Sequence, residues 1–412
     1  MVGMGMIFDD TYAPFFESAG RGVYDPATGP FRVELAGAAT RTGSRTLAYR
    51  QRRGLADSEF GNFAGETAVA DLLASGVDFL CVASPDDKHY EAARLGLEAG
   101  RHVMVEKPSV LTLQELDELV AVAEDRGVLA KVVYHKLLDP DHKKLRTLVH
   151  DQILSHVNNG YCTLLEPKSI SGSQFAGWIM GRNPGTYVAV HYLKLIDFTF
   201  GGRLKSVACT GQRGLVGPKD GPTWDSTQLR LVYEYDSGRE AAFDIHTSWV
   251  TPDNFPGYVE QEVQFRFDNG VWNGHSRRRG VELTVEGRTP HELKTSINNH
   301  YNGTFVEPWG ERSQRGYGIE VIERFAREVA YVEIGGPAET RAGRLAEMRS
   351  RHYNELAADR QVVAAVQSME SILARHAGGR ANGLVEVNGE AGGLALYLPG
   401  QSEPELLYEG AV

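Results

Sequence analysis

The 412-residue chain is 42% hydrophobic and carries a formal net charge of −11. That charge works against generic nucleic-acid binding, which needs a basic footprint to displace phosphate counterions. No run approaches the ~18 consecutive apolar residues of a membrane-spanning helix. The length exceeds one ordinary core and predicts two domains plus extensions. The start MVGMGMIFDD lacks the basic head and small-residue cleavage site of a secretory signal, so the cytoplasm is the expected compartment. Cys81, Cys162 and Cys209 are far apart and in no CxxC spacing, which predicts neither a disulfide framework nor a thiolate zinc site.

The run Val2-Gly3-Met4-Gly5-Met6-Ile7-Phe8 supplies the first two glycines of GxGxxG, with Phe8 in third place. The first glycine permits a tight turn, and the second lets backbone NH groups at Met6 and Ile7 approach a pyrophosphate. Phe8 implies looser helix-to-strand packing or a shifted helix. Only Met1 and Val2 precede Gly3, so the first strand is either unusually short or starts upstream. After the insertion GRGVYDPATGP, a strand is expected at 32–39, leading into Thr40 and Arg41. An acid is the usual partner of a ribose 2′-hydroxyl at this place, whereas a neutral residue followed by arginine suits a 2′-phosphate. The cofactor is therefore expected to be NAD or NADP, with a slight lean to NADP.

Apolar runs at 77–83 and 102–106 read as buried parallel strands. Helical patterns at 67–75, 89–99 and 113–126 alternate with them, the last preceded by Thr112 with Glu115 three residues on, a capping-box spacing. The fold class is therefore α/β, an N-terminal Rossmann doubly wound sheet over residues 1–135. Ligands of such a sheet sit at the carboxyl ends of its strands, where Ser84, Pro85, Glu106 and Lys107 fall. The stretch HVMVEKP places two charges at the end of an apolar strand, and ions there must be paired or functional. Pro108 fixes its own φ and restricts Lys107 before it; a cis bond there is compatible with the sequence.

From about 203 the pattern turns to long alternating runs, with turn signals at 235–238 and 267–270. They predict a second α/β domain, 136–343, with a large, mostly antiparallel open sheet. One sheet face would be free for a helix layer or a partner subunit, so a homo-oligomer is expected. Residues 344–376 read as one long helix returning to the first domain, and 377–412 as an extension. Arg277, Arg278 and Arg279 read as a solvated loop or a few ion pairs in preference to an anion site. His246, His275 and His300 with Glu260 or Glu262 lack metal-binding spacings, so no metal is expected.

The initial GxG, then VASPDDKHYEAARLGLEAGRHVMVEKP, VVYHKLLDPDHKKL and GTYVAVHYLKLIDFTFGG, resemble in order the glucose-fructose oxidoreductase, inositol dehydrogenase and rhizopine catabolism family, Gfo/Idh/MocA. The pattern TYxxxHY at 186–192, with SQFAGW before it and RGYGIEVIERF at 315–325, looks like the branch that contains glycoside 3-dehydrogenases. The resemblance implies a nicotinamide cofactor and a sugar, polyol or glycoside as substrate. It puts the catalytic lysine at Lys107 and the catalytic histidine at His191, while the family's aspartate four residues earlier is Tyr187 here. Tyr187 would orient the imidazole, join a proton relay or line the pocket. Gly3, Gly5, Met6, Ile7, Thr40, Arg41, Ser84, Pro85, His89, Glu106 and Lys107 make the expected cofactor set. Tyr134, His135, Trp178, Tyr187 and His191 make the substrate set. Two other functions fit the same residues: redox-neutral NAD-dependent glycoside cleavage, and a non-catalytic cofactor-binding sensor.

Overall fold

Short apolar runs hide both faces by lying side by side between helices, and in the computed structural model the parallel strands are β1 (Gly37–Thr40), β2 (Gly61–Ala64), β3 (Phe79–Val82), β4 (His102–Glu106) and β5 (Ala130–Val133), all mostly buried except the half-buried edge strand β2. The structure describes residues 1–19, 22–169, 179–218, 220–253, 255, 259–275, 281–283, 295–376, 380–389 and 392–410. Met1 to Gly3 lie between β1 and β3: Val2 N donates to Cys81 O (2.8 Å) and Gly3 N to Ala39 O (3.0 Å). The order is therefore β2, β1, residues 1–3, β3, β4, β5, that of a dinucleotide-binding sheet. Helices Ala68–Ala74, His89–Glu98 and Leu113–Arg126 match the expected ones closely. The strand expected at 32–39 instead spans Gly37–Thr40, and the insertion folds as a hairpin of Val23–Asp25 with Gly29–Phe31.

The chain divides into two compact units. The first takes residues 1–110, 114–138 and 300–359, so the late segment 300–359 belongs with the nucleotide-type sheet. Its buried core joins Met1, Phe8, Tyr12 and Met104 to Tyr317, Phe325, Val329 and Met348. The single helix expected over 344–376 is corrected to two, Arg341–Ser350 and Arg360–Ala374, the first in this unit and the second in the other. Composition favours helix throughout, but His352 adopts φ +54 and Val132 N donates to Asn354 O (2.8 Å), pulling 352–355 out as an irregular strip beside β5.

The second unit is built on a nine-stranded sheet, ordered β11, β10, β6, β9, β8, β7, β12, β13, β14. Its strands are β6 (Val157–Pro167), β7 (Arg203–Gln212), β8 (Ser226–Glu234), β9 (Glu240–Thr251), β10 (Glu260–Phe267), β11 (Val271–His275), β12 (Arg380–Asn388), β13 (Gly393–Tyr397) and β14 (Glu405–Tyr408). Only β6 with β9 is parallel. The C-terminal stretch thus extends the sheet by three strands from β7. Strict alternation in β9 buries Ala241, Phe243, Ile245 and Trp249 on one face and leaves Asp244, His246 and Ser248 on the other. On the unit's own helices, Gly185 shows the tightness of packing: a Cβ there would lie 2.2 Å from Met369 Sδ on helix Arg360–Ala374. No helix among the described residues is long and apolar enough to cross a membrane.

Candidate functional site

Gly3 has φ +83, and a Cβ on it would lie 2.4 Å from Ala83 O, so only glycine lets the chain turn against β3. At Gly5 a Cβ would meet nothing within 4 Å, leaving open space in front of the helix that starts at Met6. Backbone NH groups facing open space at a helix N-terminus form a cradle that fits a pyrophosphate. Phe8, where the third glycine would stand, is buried with its ring 5.3 Å from Tyr49, and residues Phe8–Tyr12 are π-helical before the α-helix Ala13–Ala19. At the end of β1, Thr40 Oγ1 accepts from Gly43 N (3.0 Å), Arg41 is exposed, and Thr42 and Ser44 hydroxyls pair at 2.7 Å. Arg45 donates to Met4 O (2.7 Å) and ties this loop to the glycine turn.

Two strands further along the sheet, β4 delivers Glu106 and Lys107. Glu106 is buried and accepts from the Tyr12 hydroxyl (3.0 Å). Burial pushes its pKa up to about 7, against the opposing pull of Lys107 and Tyr12. The same burial drives the Tyr12 hydroxyl well above its usual range, helped by Glu106. Lys107 is half-buried, and its bond to Pro108 is cis. His89 is wholly buried, its ring nitrogens 2.7 Å from Pro108 O and 2.8 Å from Ser84 O. It therefore joins the loop after β3 to the turn after β4. Burial lowers its pKa, while those two carbonyls and Asp86 oppose the shift, since only the imidazolium can donate to both. Ser84 is half-buried and Pro85 exposed beside them.

Tyr134, at the end of β5, is buried and donates its hydroxyl to Asp359 (2.9 and 3.0 Å), so that hydroxyl is committed inside this unit. His135 is half-buried in an aromatic group, 5.1 Å from the Tyr301 ring and 6.0 Å from Tyr317, which stacks on it at 27°. Gly316, with φ +137, brings the chain close enough that a Cβ would lie 2.2 Å from Tyr301 O.

In the second unit His191 is buried on helix Val190–Phe200, one residue after its start. The turn before it, Gly185–Ala189, is π-helical and carries Tyr187, half-buried with its ring 6.4 Å from Trp249. Trp249 Nε1 in turn donates to Glu166 (2.8 Å). Asn183 and Thr186 both bond Glu370, fixing the π-helical turn to Arg360–Ala374. Trp178 lies outside the described residues. Sequence reading passed over Tyr12, Ser109, Glu166, Trp249, Asp359 and Glu370, which reach their partners across 83 to 250 residues or, for Glu370, 184 and more.

A glycine turn opening a helix inside a parallel sheet ordered β2, β1, residues 1–3, β3, β4, β5 is the arrangement of a dinucleotide-binding fold. Residues 1–134 match the Gfo/Idh/MocA family model, described as "Oxidoreductase family, NAD-binding Rossmann fold". Among curated relatives, D-glucoside 3-dehydrogenase of Escherichia coli is 29% identical over 32% of this chain and 38% of its own length. scyllo-Inositol 2-dehydrogenase (NADP(+)) of Bacillus subtilis is 30% identical over 20% of this chain and 23% of its own. The matched stretch spans about a quarter of the first relatives found, such as 23% of an uncharacterised E. coli oxidoreductase. Two solved structures share the fold across almost the whole chain. One, GenD2 from gentamicin A biosynthesis in complex with NAD, has a TM-score of 0.63 at 20% identity, covering 94% of this chain and 95% of that one. The other, levoglucosan dehydrogenase with NADH and levoglucosan, has a TM-score of 0.63 at 14% identity, covering 91% and 96%.

Proposed function

We propose that the protein is an NAD(P)-dependent oxidoreductase that transfers hydride between nicotinamide and a secondary hydroxyl of a sugar, polyol or glycoside. The observation that carries this reading is the placing of Lys107 at the carboxyl end of β4, in the same sheet whose glycine turn offers the pyrophosphate cradle. The relatives named for glucoside and inositol oxidation support the substrate class. When bound, the nicotinamide supplies the hydride acceptor. Gly3, Gly5, Met6 and Ile7 would hold the pyrophosphate, with Thr40 and Arg41 at the ribose. The exposed guanidinium of Arg41 and the absence of an acid between Thr40 and Arg45 support NADP over NAD.

Loss of hydride from a carbinol requires loss of the hydroxyl proton, so a cation and a base must serve one oxygen. In this reading the Lys107 ammonium stabilises developing alkoxide charge, Glu106 offsets part of the cost of placing it there, and His191 takes the proton. Tyr187, four residues before His191, orients the imidazole or borders the sugar. His135, beside Tyr301 and Tyr317, offers an aromatic edge suited to a sugar's CH face. The polar face of the nine-stranded sheet supports self-association.

The test starts with the nucleotide that copurifies. Turnover of levoglucosan, myo-inositol and methyl β-D-glucoside is then followed at the reduced-nicotinamide absorbance. Lys107→Ala and His191→Ala are each expected to lower kcat by about 10²- to 10⁴-fold while nucleotide binding persists. Undiminished turnover in both variants would overturn the assignment. Release of nitrophenol from a nitrophenyl glucoside at constant nicotinamide absorbance would replace it with redox-neutral cleavage.

A further inference from the structure

The Lys107-Pro108-Ser109 turn is gripped from a part of the chain 250 residues away. Ser109 is fully buried, and its hydroxyl donates to Asp359 Oδ2 at 2.6 Å. Tyr134, on the neighbouring strand end, donates to both oxygens of the same carboxylate. Each hydroxyl has one proton to give, and both give it to Asp359, so the carboxylate is the acceptor of two charge-assisted bonds in a site where all three residues are 0–1% exposed. Asp359 ends the short 3-10 turn Leu356–Asp359, which follows directly on the strip that pairs Asn354 O with Val132 N beside β5. The late segment of the first unit is thus laid along the sheet so that one carboxylate arrives under the ends of β4 and β5. On its other side the same turn is held by His89 at Pro108 O.

We propose that Asp359 is a positioning residue: acting through Ser109 and Tyr134, its carboxylate sets where the turn after β4 presents the Lys107 amine. This rests on the oxidoreductase reading only for its catalytic consequence; the placement of the amine is a property of the first unit by itself. Rate depends steeply on such placement, since displacement of a reacting group by about 1 Å can cost about 10²-fold. A buried carboxylate reached by two hydroxyls on adjacent strand ends is a stiffer anchor than a solvated loop.

Ser109→Ala and Tyr134→Phe delete one donor each and leave the rest of the side-chain packing in place, so they are preferred over replacing Asp359. Two readouts are taken on the full chain. The first is the rate of reductive methylation of Lys107 by formaldehyde and cyanoborohydride, measured by mass spectrometry against Lys88, whose side chain is 70% exposed. The second is kcat per NADPH- or NADH-binding site, with KM and the deuterium isotope effect, on whichever of the three test substrates the wild type oxidises fastest. Both variants are expected to change the Lys107-to-Lys88 methylation ratio. They are also expected to lower kcat by about 10- to 100-fold with a larger isotope effect and little change in nucleotide affinity. An unaltered methylation ratio in both variants overturns the proposal whatever the turnover. Parallel losses of thermal stability, nucleotide affinity and kcat, with an unchanged isotope effect per binding site, also overturn it, because they describe a purely structural role. A changed ratio in a protein that oxidises none of the three sugars retains the positioning role and counts against the oxidoreductase reading alone.

Discussion

Glu106 shows how one side chain can couple the cofactor end of the sheet to pH. Its neighbours Tyr12, Lys107 and Cys81 surround a carboxyl whose burial raises its pKa from 4.5 to about 7. Because the folded value lies above the unfolded one, the native state binds the extra proton. The stability this contributes is complete below about pH 4.5 and is lost as pH rises through about 7. Glutamine imitates the protonated acid. Glu106→Gln should therefore gain on the wild type across that window, by up to about 3 kcal/mol at pH 8 and by nothing further below pH 4.5. Thermal melts of the cofactor-free proteins at pH 4.5, 6 and 8 check this, and a gap that does not widen with pH would contradict it. The placing of Glu106, Lys107 and Ser84 at strand ends was legible in the sequence, because the apolar runs that precede them are short-range signals. Asp359 was not. Nothing local marks an aspartate in LAAD as the partner of a serine 250 residues away.

At the scale of elements, the strip 352–355 is held to β5 by a buried charge cluster. Lys131, fully buried in the middle of β5, lies 2.7 Å from Glu355 and 3.5 Å from Glu328 and donates to Met348 O (3.0 Å). Burial raises the pKa of both carboxyls, and Lys131 opposes the shift. Lys131→Met leaves two acids without their cation and should destabilise the protein by about 3–5 kcal/mol near neutral pH in denaturant titrations. The loss should shrink as pH falls and the acids take up protons, and adding Glu328→Gln and Glu355→Gln should recover much of it. A lysine inside a strand and glutamates in a helix-rich composition gave no sign of this cluster, which is why 344–376 read as one helix. The strands and helices between residues 67 and 126 were legible because their hydrophobic periodicities are short-range. The break at 351–359 was not, because it is fixed by a strand that lies more than 200 residues earlier.

For the whole molecule, neither unit is a continuous piece of chain. The first unit closes its core with Tyr317, Ile322, Phe325, Val329, Val332 and Met348 packed with Phe8, Tyr12 and Met104. A fragment of residues 1–138 contains the glycine turn and every strand of the parallel sheet, yet lacks that cover. It should show no cooperative thermal transition and no nucleotide-induced stabilisation, whereas the full chain shows both. A sharp, ligand-shifted melt of the fragment would mean that residues 300–359 decorate the unit and do not complete it. Hydrophobic periodicity reveals that a helix is amphipathic but not which core receives it, and for that reason a boundary near residue 135 looked natural from sequence.

This late closure has a cost during synthesis. The glycine turn and the parallel strands leave the ribosome ahead of the segment that covers them, and Met348 emerges 210 residues after Leu138. At about 5–20 residues per second the nascent sheet waits on the order of 10–40 s with one apolar flank uncovered. Holding chaperones, codon usage between the two segments and growth temperature should therefore govern the yield of native protein more strongly than they would for a chain whose nucleotide unit is finished at its first pass.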